Sequence, residues 1–359
     1  MKILCVIDSL GSGGAQRQLV NLSIGFKERG HDVKFLVYHE ENFFKKVLDD
    51  AGIQIDYVIE TSYFRRLLKI RRYIRRGNFD GVLSFLEAAN FICEFAGLPW
   101  KKWRLVVGER SANPKIFKSI KLRFYRWFHV FADYVVSNSY ENLSMVRKIN
   151  PLLPLRKCKV IYNMLDFDVW KPDPGYIPLK DGKLHLIVAA SHQYLKNAIG
   201  LINAVQALND LEKSKLRIDW YGDERTDNSY NDSLDLIEKY SIGNIIVFHK
   251  AIQDIHQKMK YADVIGLFSF YEGLPNAVCE GIALGKTIIS SNVSDIPLLI
   301  KNDKLLFNPN KTNEISEALA YVISLEKEEI LEIGEENMVI NGKLFQKEPI
   351  VSDYLNLLT

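Results

Sequence analysis

The chain has 359 residues, 47% hydrophobic and 25% charged, a globular balance that excludes a disordered or low-complexity protein. Its length suggests two domains, and its net charge of +3 is too small to argue for a nucleic-acid partner. Cys5, Cys93, Cys158 and Cys279 lie far apart without metal-ligand spacing, so reduced thiols and no metal site are expected. The apolar run at 3–7 is too short for a signal peptide, and no stretch is long enough to span a bilayer, so a cytoplasmic protein is expected.

Residues 2–7 read as a buried strand. The loop Gly11-Ser12-Gly13-Gly14 follows, and Leu19, Leu22 and Phe26 keep helical spacing through about Arg29. The loop lacks the dinucleotide fingerprint G-x-G-x-x-G, because Gln16 and Arg17 fall where the last glycine would be. Strand-like runs at 33–38, 53–58, 81–85, 104–107, 134–136 and 159–161 alternate with helical patterns, which predicts a parallel sheet covered on both faces. Glu109 and Arg110 leave one of these strands, where a doubly wound sheet binds ligands; an ion pair closing the loop is the other reading.

Two segments are strongly basic. Arg65, Arg66, Lys69, Arg71, Arg72, Arg75 and Arg76 crowd one predicted helix around Leu67, Ile70 and Ile74. Residues 115–131 predict a second helix, with Ile116, Ile120, Phe124, Trp127 and Phe131 at helical spacing and Lys115, Lys118, Lys121, Arg123 and Arg126 interleaved. Such helices suit an anionic membrane surface or a core-packed helix with a charged outer face. Ser137-Asn138-Ser139 is expected to cap a helix from about Tyr140. Pro172, Pro174 and Pro178 place a hinge at about 167–179.

The pattern restarts with strands at 184–189, 217–221, 245–248, 264–268 and 287–290. Asp254 is expected to cap a helix, and Asp295-Ile296-Pro297 to form a turn. Helices are predicted at 314–325 and 327–338, and Ile350, Tyr354 and Leu358 keep helical spacing at the end. The strand at 264–268 runs into E-G-L-P-N-A-V-C-E, with Glu272 and Glu280 eight positions apart. Pro275 suits the first turn of a helix. A strand that enters such a loop and then a helix offers backbone N–H groups to an anion. Glu280 would then reach a hydroxyl-bearing ligand such as a ribose, and Glu272 whatever the phosphate carries. A helix that merely starts with acid near its positive end is the plainer reading.

That stretch resembles the E-x7-E signature of retaining glycosyltransferases of family 4. The resemblance implies an α/β GT-B fold, two Rossmann-like doubly wound domains facing an interdomain cleft. Residues 1–167 would form the acceptor-side domain, 168–342 the nucleotide-sugar domain, and about 343–359 a helix crossing back to the first. It implies that Glu280 holds the ribose and Glu272 meets the donor sugar. Lys196 matches the lysine of the family's R-x4-K diphosphate clamp, but Ser191 stands where the arginine is expected; Arg17, Arg110 or a protonated His192 could compensate. Gly13, Gly14 and Arg17 resemble the amino-terminal loop over the diphosphate, and His249 and Ala251 the segment that cradles the base. Gly273, Leu274, Pro275, Asn276 and Ala277 complete the donor site. Met164 stands where the family's interdomain segment has glycine. No histidine occupies the position near Glu109 that many members use toward the sugar, and Glu109-Arg110-Ser111 is similar to a branch acting in bacterial surface-glycan assembly.

The expected enzyme is therefore a retaining, metal-independent glycosyltransferase with Glu272, Lys196 and Glu109 as catalytic candidates. Its donor would be a UDP-hexose or UDP-N-acetylhexosamine, with no further cofactor. Its acceptor would be a glycan or lipid-linked glycan of surface polysaccharide, met at the inner face of the cytoplasmic membrane through 65–76 and 115–131. The competing readings are a nucleotide-sugar epimerase or hydrolase and a catalytically inactive scaffold.

Overall fold

A computed structural model describes residues 1–173, 175 and 181–359 and divides them into two compact units, Met1–Met164 with Gln346–Thr359, and Leu165–Phe345. The units part three residues from the boundaries expected at 167 and 342. Within the expected hinge, Pro174 and Pro178 lie outside the described residues.

The first unit carries a seven-stranded parallel sheet in the order β3-β2-β1-β4-β5-β6-β7. The strands are β1 (Lys2–Val6), β2 (Asp32–Val37), β3 (Gln54–Tyr57), β4 (Gly81–Phe85), β5 (Arg104–Glu109), β6 (Tyr134–Ser137) and β7 (Cys158–Val160). Central β4 is buried along its whole length, as a strand sandwiched between helix layers must be. The helix Gly14–Glu28 buries Leu19, Leu22 and Phe26 on one face. The closing helix Lys347–Leu358 packs into the same core through Ile350, Tyr354 and Leu358. A Cβ on Gly25 would come within 2.6 Å of Val351, so the glycine lets these two helices approach closely. Met164, with φ not positive, is fixed by Gln18, whose side chain donates to its carbonyl at 3.0 Å and accepts from its N–H at 2.9 Å.

The second unit has a six-stranded parallel sheet in the order β10-β9-β8-β11-β12-β13. Its strands are β8 (Leu184–Ala189), β9 (Leu216–Tyr221), β10 (Ile246–His249), β11 (Val264–Leu267), β12 (Thr287–Ser291) and β13 (Leu306–Phe307). Both sheets run outward from a central pair, β1 beside β4 and β8 beside β11, which makes each unit Rossmann-like. At such a switch the loops diverge above and below the sheet and leave a crevice at the strands' carboxyl ends.

Several local expectations change. Residues 115–131 form a 3-10 turn, Pro114–Phe117, then the helix Ile120–Phe128 and a second 3-10 turn, His129–Phe131, because Ser119 caps the helix through Leu122 N–H at 3.3 Å. Asp254 occupies an N-cap without a side-chain capping bond, and Asp295 to Leu299 continues from a turn into the short helix Ile296–Leu299. Ser139 caps the helix Tyr140–Ile149 by accepting from Asn142 N–H at 3.1 Å.

Candidate active site

The site builds from the β8–β11 switch of the second unit. The loop after β8 carries Ser191 to Asn197, and the loop after β11 carries the glutamate motif. These two loops bring Lys196 and Glu272, 76 residues apart in sequence, into an ion pair of 2.5 Å. Both side chains are mostly shielded, at 17% and 13% exposure, yet neither is closed off.

The lysine loop is held from several sides. His192 N–H donates to Asp223 carbonyl at 2.9 Å, and Tyr194 N–H donates to Asp227 Oδ2 at 2.9 Å. Phe270 N–H donates to Leu195 carbonyl at 3.0 Å, which ties this loop to the one bearing Glu272. Asn197 adopts the left-handed conformation (φ 59) and caps the helix Ala198–Ala207 by accepting from Gly200 N–H at 3.2 Å; its Nδ2 donates to Pro309 carbonyl at 2.9 Å. Asparagine tolerates that backbone better than most residues, so the sharp exit after Lys196 is built into the sequence. Gly222 passes so near that a Cβ would meet Ala190 carbonyl at 1.9 Å. Only glycine fits there without displacing the β8 loop.

The second loop leads into the helix Asn276–Ala283. Pro275 is its N-cap rather than its first helical residue, and Glu280 lies buried in its second turn. Gly273, Leu274 and Ala277 are also buried, and Asn276 is partly exposed. The positive end of the helix dipole lies at the loop that Lys196 and Glu272 flank. Ser294, a non-glycine residue at φ 55, donates its hydroxyl to Gly273 carbonyl and braces that loop; nothing in the sequence pattern singled it out.

The segment expected to cradle the base is bonded within the protein. His249 Nε2 lies 2.7 Å from Asp219 Oδ1, and its ring stacks on Tyr221 at 4.5 Å. Burial would raise the Asp219 carboxyl, but Arg217 and His249 outweigh it and hold the group below its ordinary range. Ala251 N–H donates to Asp223 Oδ1 at 3.2 Å.

Three expectations about charge are corrected. A protonated His192 does not compensate for the missing arginine: the ring is buried among Trp220, Tyr230 and Phe248, both nitrogens are without a hydrogen-bond partner among the described residues, and burial depresses its basicity. Ser191, where that arginine was expected, instead accepts from Gln193 Nε2 at 2.8 Å. Glu109 neither pairs with Arg110 nor lies open to a ligand. It is buried, with Arg126 Nη2 at 2.7 Å and His129 Nε2 at 3.0 Å; Glu94 holds His129 Nδ1 at 2.6 Å, and Glu87 reaches Arg126 at 3.2 Å. Burial works against the charge on Glu109, but Arg126 and His129 overcome it and keep its carboxyl below the ordinary range. Burial likewise opposes the charged form of His129, yet Glu94 and Glu109 push it up to about 9. Arg110 stacks 3.8 Å over the Phe85 ring, donates to Asn163 Oδ1 at 3.2 Å and bonds the Tyr354 hydroxyl.

The basic segments divide as well. Arg71 and Arg75 donate to the carbonyls of Phe95, Ala96, Leu98 and Trp100, where cations complement the carboxyl end of the helix Glu87–Gly97. Arg126, expected on an outer face, is fully buried. Most of the expected apolar stripe of 115–131 lies outward instead: Ile116 is buried, but Ile120 is 84% exposed, and Phe117, Phe124, Trp127 and Phe131 are exposed beside Lys118, Lys121 and Arg123. Gly13 is the N-cap of the helix that begins at Gly14, and Arg17 lies in its first turn.

Comparison with known proteins places both units. The model of Glycosyltransferase Family 4 matches residues 12–169, and that of Glycosyl transferases group 1 matches residues 175–340. The chain is 26% identical over 308 residues, 81% of its length and 79% of the relative's, to the GalNAc-alpha-(1->4)-GalNAc-alpha-(1->3)-diNAcBac-PP-undecaprenol alpha-1,4-N-acetyl-D-galactosaminyltransferase of Campylobacter jejuni. It is 23% identical over 374 residues, 99% of each chain, to that organism's N-acetylgalactosamine-N,N'-diacetylbacillosaminyl-diphospho-undecaprenol 4-alpha-N-acetylgalactosaminyltransferase. In fold it is similar to HepE of Anabaena, solved with UDP and glucose: TM-score 0.87 at 18% identity, covering 100% of this chain and 99% of that one. Two Rossmann-like units, family matches over each of them and relatives that transfer sugars agree, and the chain belongs to the family 4 glycosyltransferases.

Proposed function

We propose that this glycosyltransferase moves N-acetylgalactosamine, or a closely related hexose, from a UDP donor to a diphospholipid-linked glycan, with retention of configuration and without a metal. The observation that carries the reading is the Lys196–Glu272 pair at the β8–β11 switch, beside the helix that holds Glu280. In the absence of donor the two charges satisfy each other. A donor diphosphate competes for Lys196 and releases Glu272 to meet the sugar, while Glu280 takes the ribose hydroxyls. Lys196 and the helix dipole then stabilise the leaving diphosphate as its charge grows. The bond from the anomeric carbon to the diphosphate breaks, and the acceptor oxygen bonds on the same face. The acceptor's proton passes to the departing phosphate. The diphospholipid acceptor is supported by the two Campylobacter relatives, both named for undecaprenol diphosphate-linked glycans.

Membrane contact belongs to the same reading. Among the described residues no helix is long and apolar enough to cross a membrane. The exposed face of 117–131 combines large apolar side chains with Lys118, Lys121 and Arg123, which suits shallow insertion into an anionic bilayer. Sedimentation with phosphatidylglycerol vesicles tests this: Ile120→Glu should lower the bound fraction, and unchanged binding would remove the assignment.

The reaction is tested with UDP-N-acetylgalactosamine and a synthetic diphospholipid glycan, with NMR of the new linkage and a parallel run in EDTA. An α-linked product formed at an undiminished rate in EDTA is expected. A β-linked product would contradict retention, and loss of turnover in EDTA would contradict the metal-free reading.

A further inference from the structure

We propose that Tyr194 and Phe270 form a stacking platform for a pyranose ring of the acceptor glycan, a subsite that the second unit contributes beside the reacting pair. The proposal rests on the glycosyl-transfer reading above. Each aromatic stands two residues before a member of the pair: Tyr194 before Lys196, and Phe270 before Glu272. Their ring centroids are 5.1 Å apart with 31° between planes, so Phe270 packs against the Tyr194 ring and backs it. Tyr194 is 67% exposed, against 17% and 13% for the Lys196 and Glu272 side chains. The Tyr194 ring is therefore the more open of these groups.

Two observations set it apart from a stray surface aromatic. First, its backbone is fixed by the Tyr194 N–H bond to Asp227 and the Phe270 N–H bond to Leu195 carbonyl, so the surface is preorganised although it faces water. Second, Tyr271 follows Phe270 in the chain and is half-buried. Burial and then the Glu272 charge raise its phenol, which stays a hydrogen-bond donor at neutral pH. A pyranose presents polarised C–H bonds on one face and hydroxyls at its rim. An aromatic face with a negative quadrupole meets the first, and a phenol donor meets the second. The acceptor is the occupant because the donor's groups are assigned to the shielded residues Lys196, Glu272 and Glu280, while a longer glycan has the rings to lie across an exposed surface.

The test is steady-state kinetics of wild type, Tyr194→Ala and Tyr194→Phe, varying the diphospholipid glycan at saturating UDP-N-acetylgalactosamine and then the reverse. Tyr194→Ala should raise the acceptor KM about tenfold, the loss of one stacked contact, while the donor KM holds and Tyr194→Phe stays near wild type. An unchanged acceptor KM, or a rise in the donor KM instead, overturns the proposal. A second readout does not need turnover. With UDP present, saturation-transfer NMR of methyl α-N-acetylgalactosaminide should show transfer to the sugar ring protons in wild type and lose it in Tyr194→Ala. Transfer that survives in Tyr194→Ala, or is absent from wild type, overturns the platform. A wild-type NMR signal without any enzymatic transfer would instead place the failure in the reading of the reaction.

Discussion

Glu109 and Glu272 both stand at the carboxyl ends of parallel strands, Glu109 closing β5 and Glu272 a few residues beyond β11, and their surroundings differ in kind. Glu109 is sealed in a network with Arg126, His129, Glu94 and Glu87, of which only Glu87 keeps appreciable exposure. Among the described residues Glu272 forms its ion pair with Lys196, and both keep a share of solvent. In a buried network each charge is fixed by the others, and a ligand could replace a partner only by leaving another charge unpaired. At a half-open pair, a ligand of the right charge replaces either partner with little loss. The first arrangement suits structure, the second binding and chemistry.

The contrast predicts separable damage. The largest effect is expected from Glu109→Ala, which takes from buried Arg126 and His129 the carboxylate they share and leaves them only Glu87 and Glu94. Removing one partner of a buried pair costs about 3–5 kcal/mol, to be read as a fall in the denaturation midpoint. Lys196→Ala should leave that midpoint nearly unchanged and lower kcat about 100–1000-fold, the range for losing one stabiliser of developing charge. A stable Glu109→Ala protein, or a Lys196→Ala protein that unfolds early, would break the comparison.

The network should also respond to alkali. His129 is held protonated to about 9, against an ordinary value of 6.5, so its contribution to stability is complete below pH 6.5 and is lost as pH climbs through 9. Glu109 has the opposite sign: its carboxyl is held low, and its contribution is lost only as pH falls below the ordinary carboxylate range. Burial raises Glu94, whose Oε2 is buried without a hydrogen-bond partner, and this offsets part of the gain. Thermal melting followed across pH 8 to 10 should show a decline that His129→Gln flattens. The smallest effects separate two caps. Ser139→Ala should cost about 1 kcal/mol, seen in the melting curve alone. Asn197→Ala should cost a similar amount and also slow turnover, because Asn197 shapes the exit from the Lys196 loop.

Much of this was legible in the chain. Alternating strand and helix patterns predicted two parallel sheets, because strands buried on both faces read as continuous apolar runs, as Val264 to Leu267 does. Glu272 was singled out by its place in a strand–loop–helix run, and Lys196 by its resemblance to the family's R-x4-K clamp. The Glu109 network was not legible, since residues 87, 94, 109, 126 and 129 share no spacing and meet only through tertiary packing. Arg126 looked like a surface cation for the same reason: helical period gives the face of a residue, and the carboxylates that accept it, Glu87 and Glu109, lie on other elements. Ser294 carried no signal, because its brace on Gly273 depends on a left-handed backbone that serine seldom adopts.

The most direct test of the central claim, that Lys196 and Glu272 mark the donor site, is the melting shift on adding UDP to wild type and to Lys196→Ala. A ligand at a hundredfold over its Kd that binds only the folded state adds about 2.7 kcal/mol, a shift readily seen in wild type. The account predicts that this shift is largely lost in Lys196→Ala, at an unchanged melting temperature without ligand. A full shift in Lys196→Ala would contradict it.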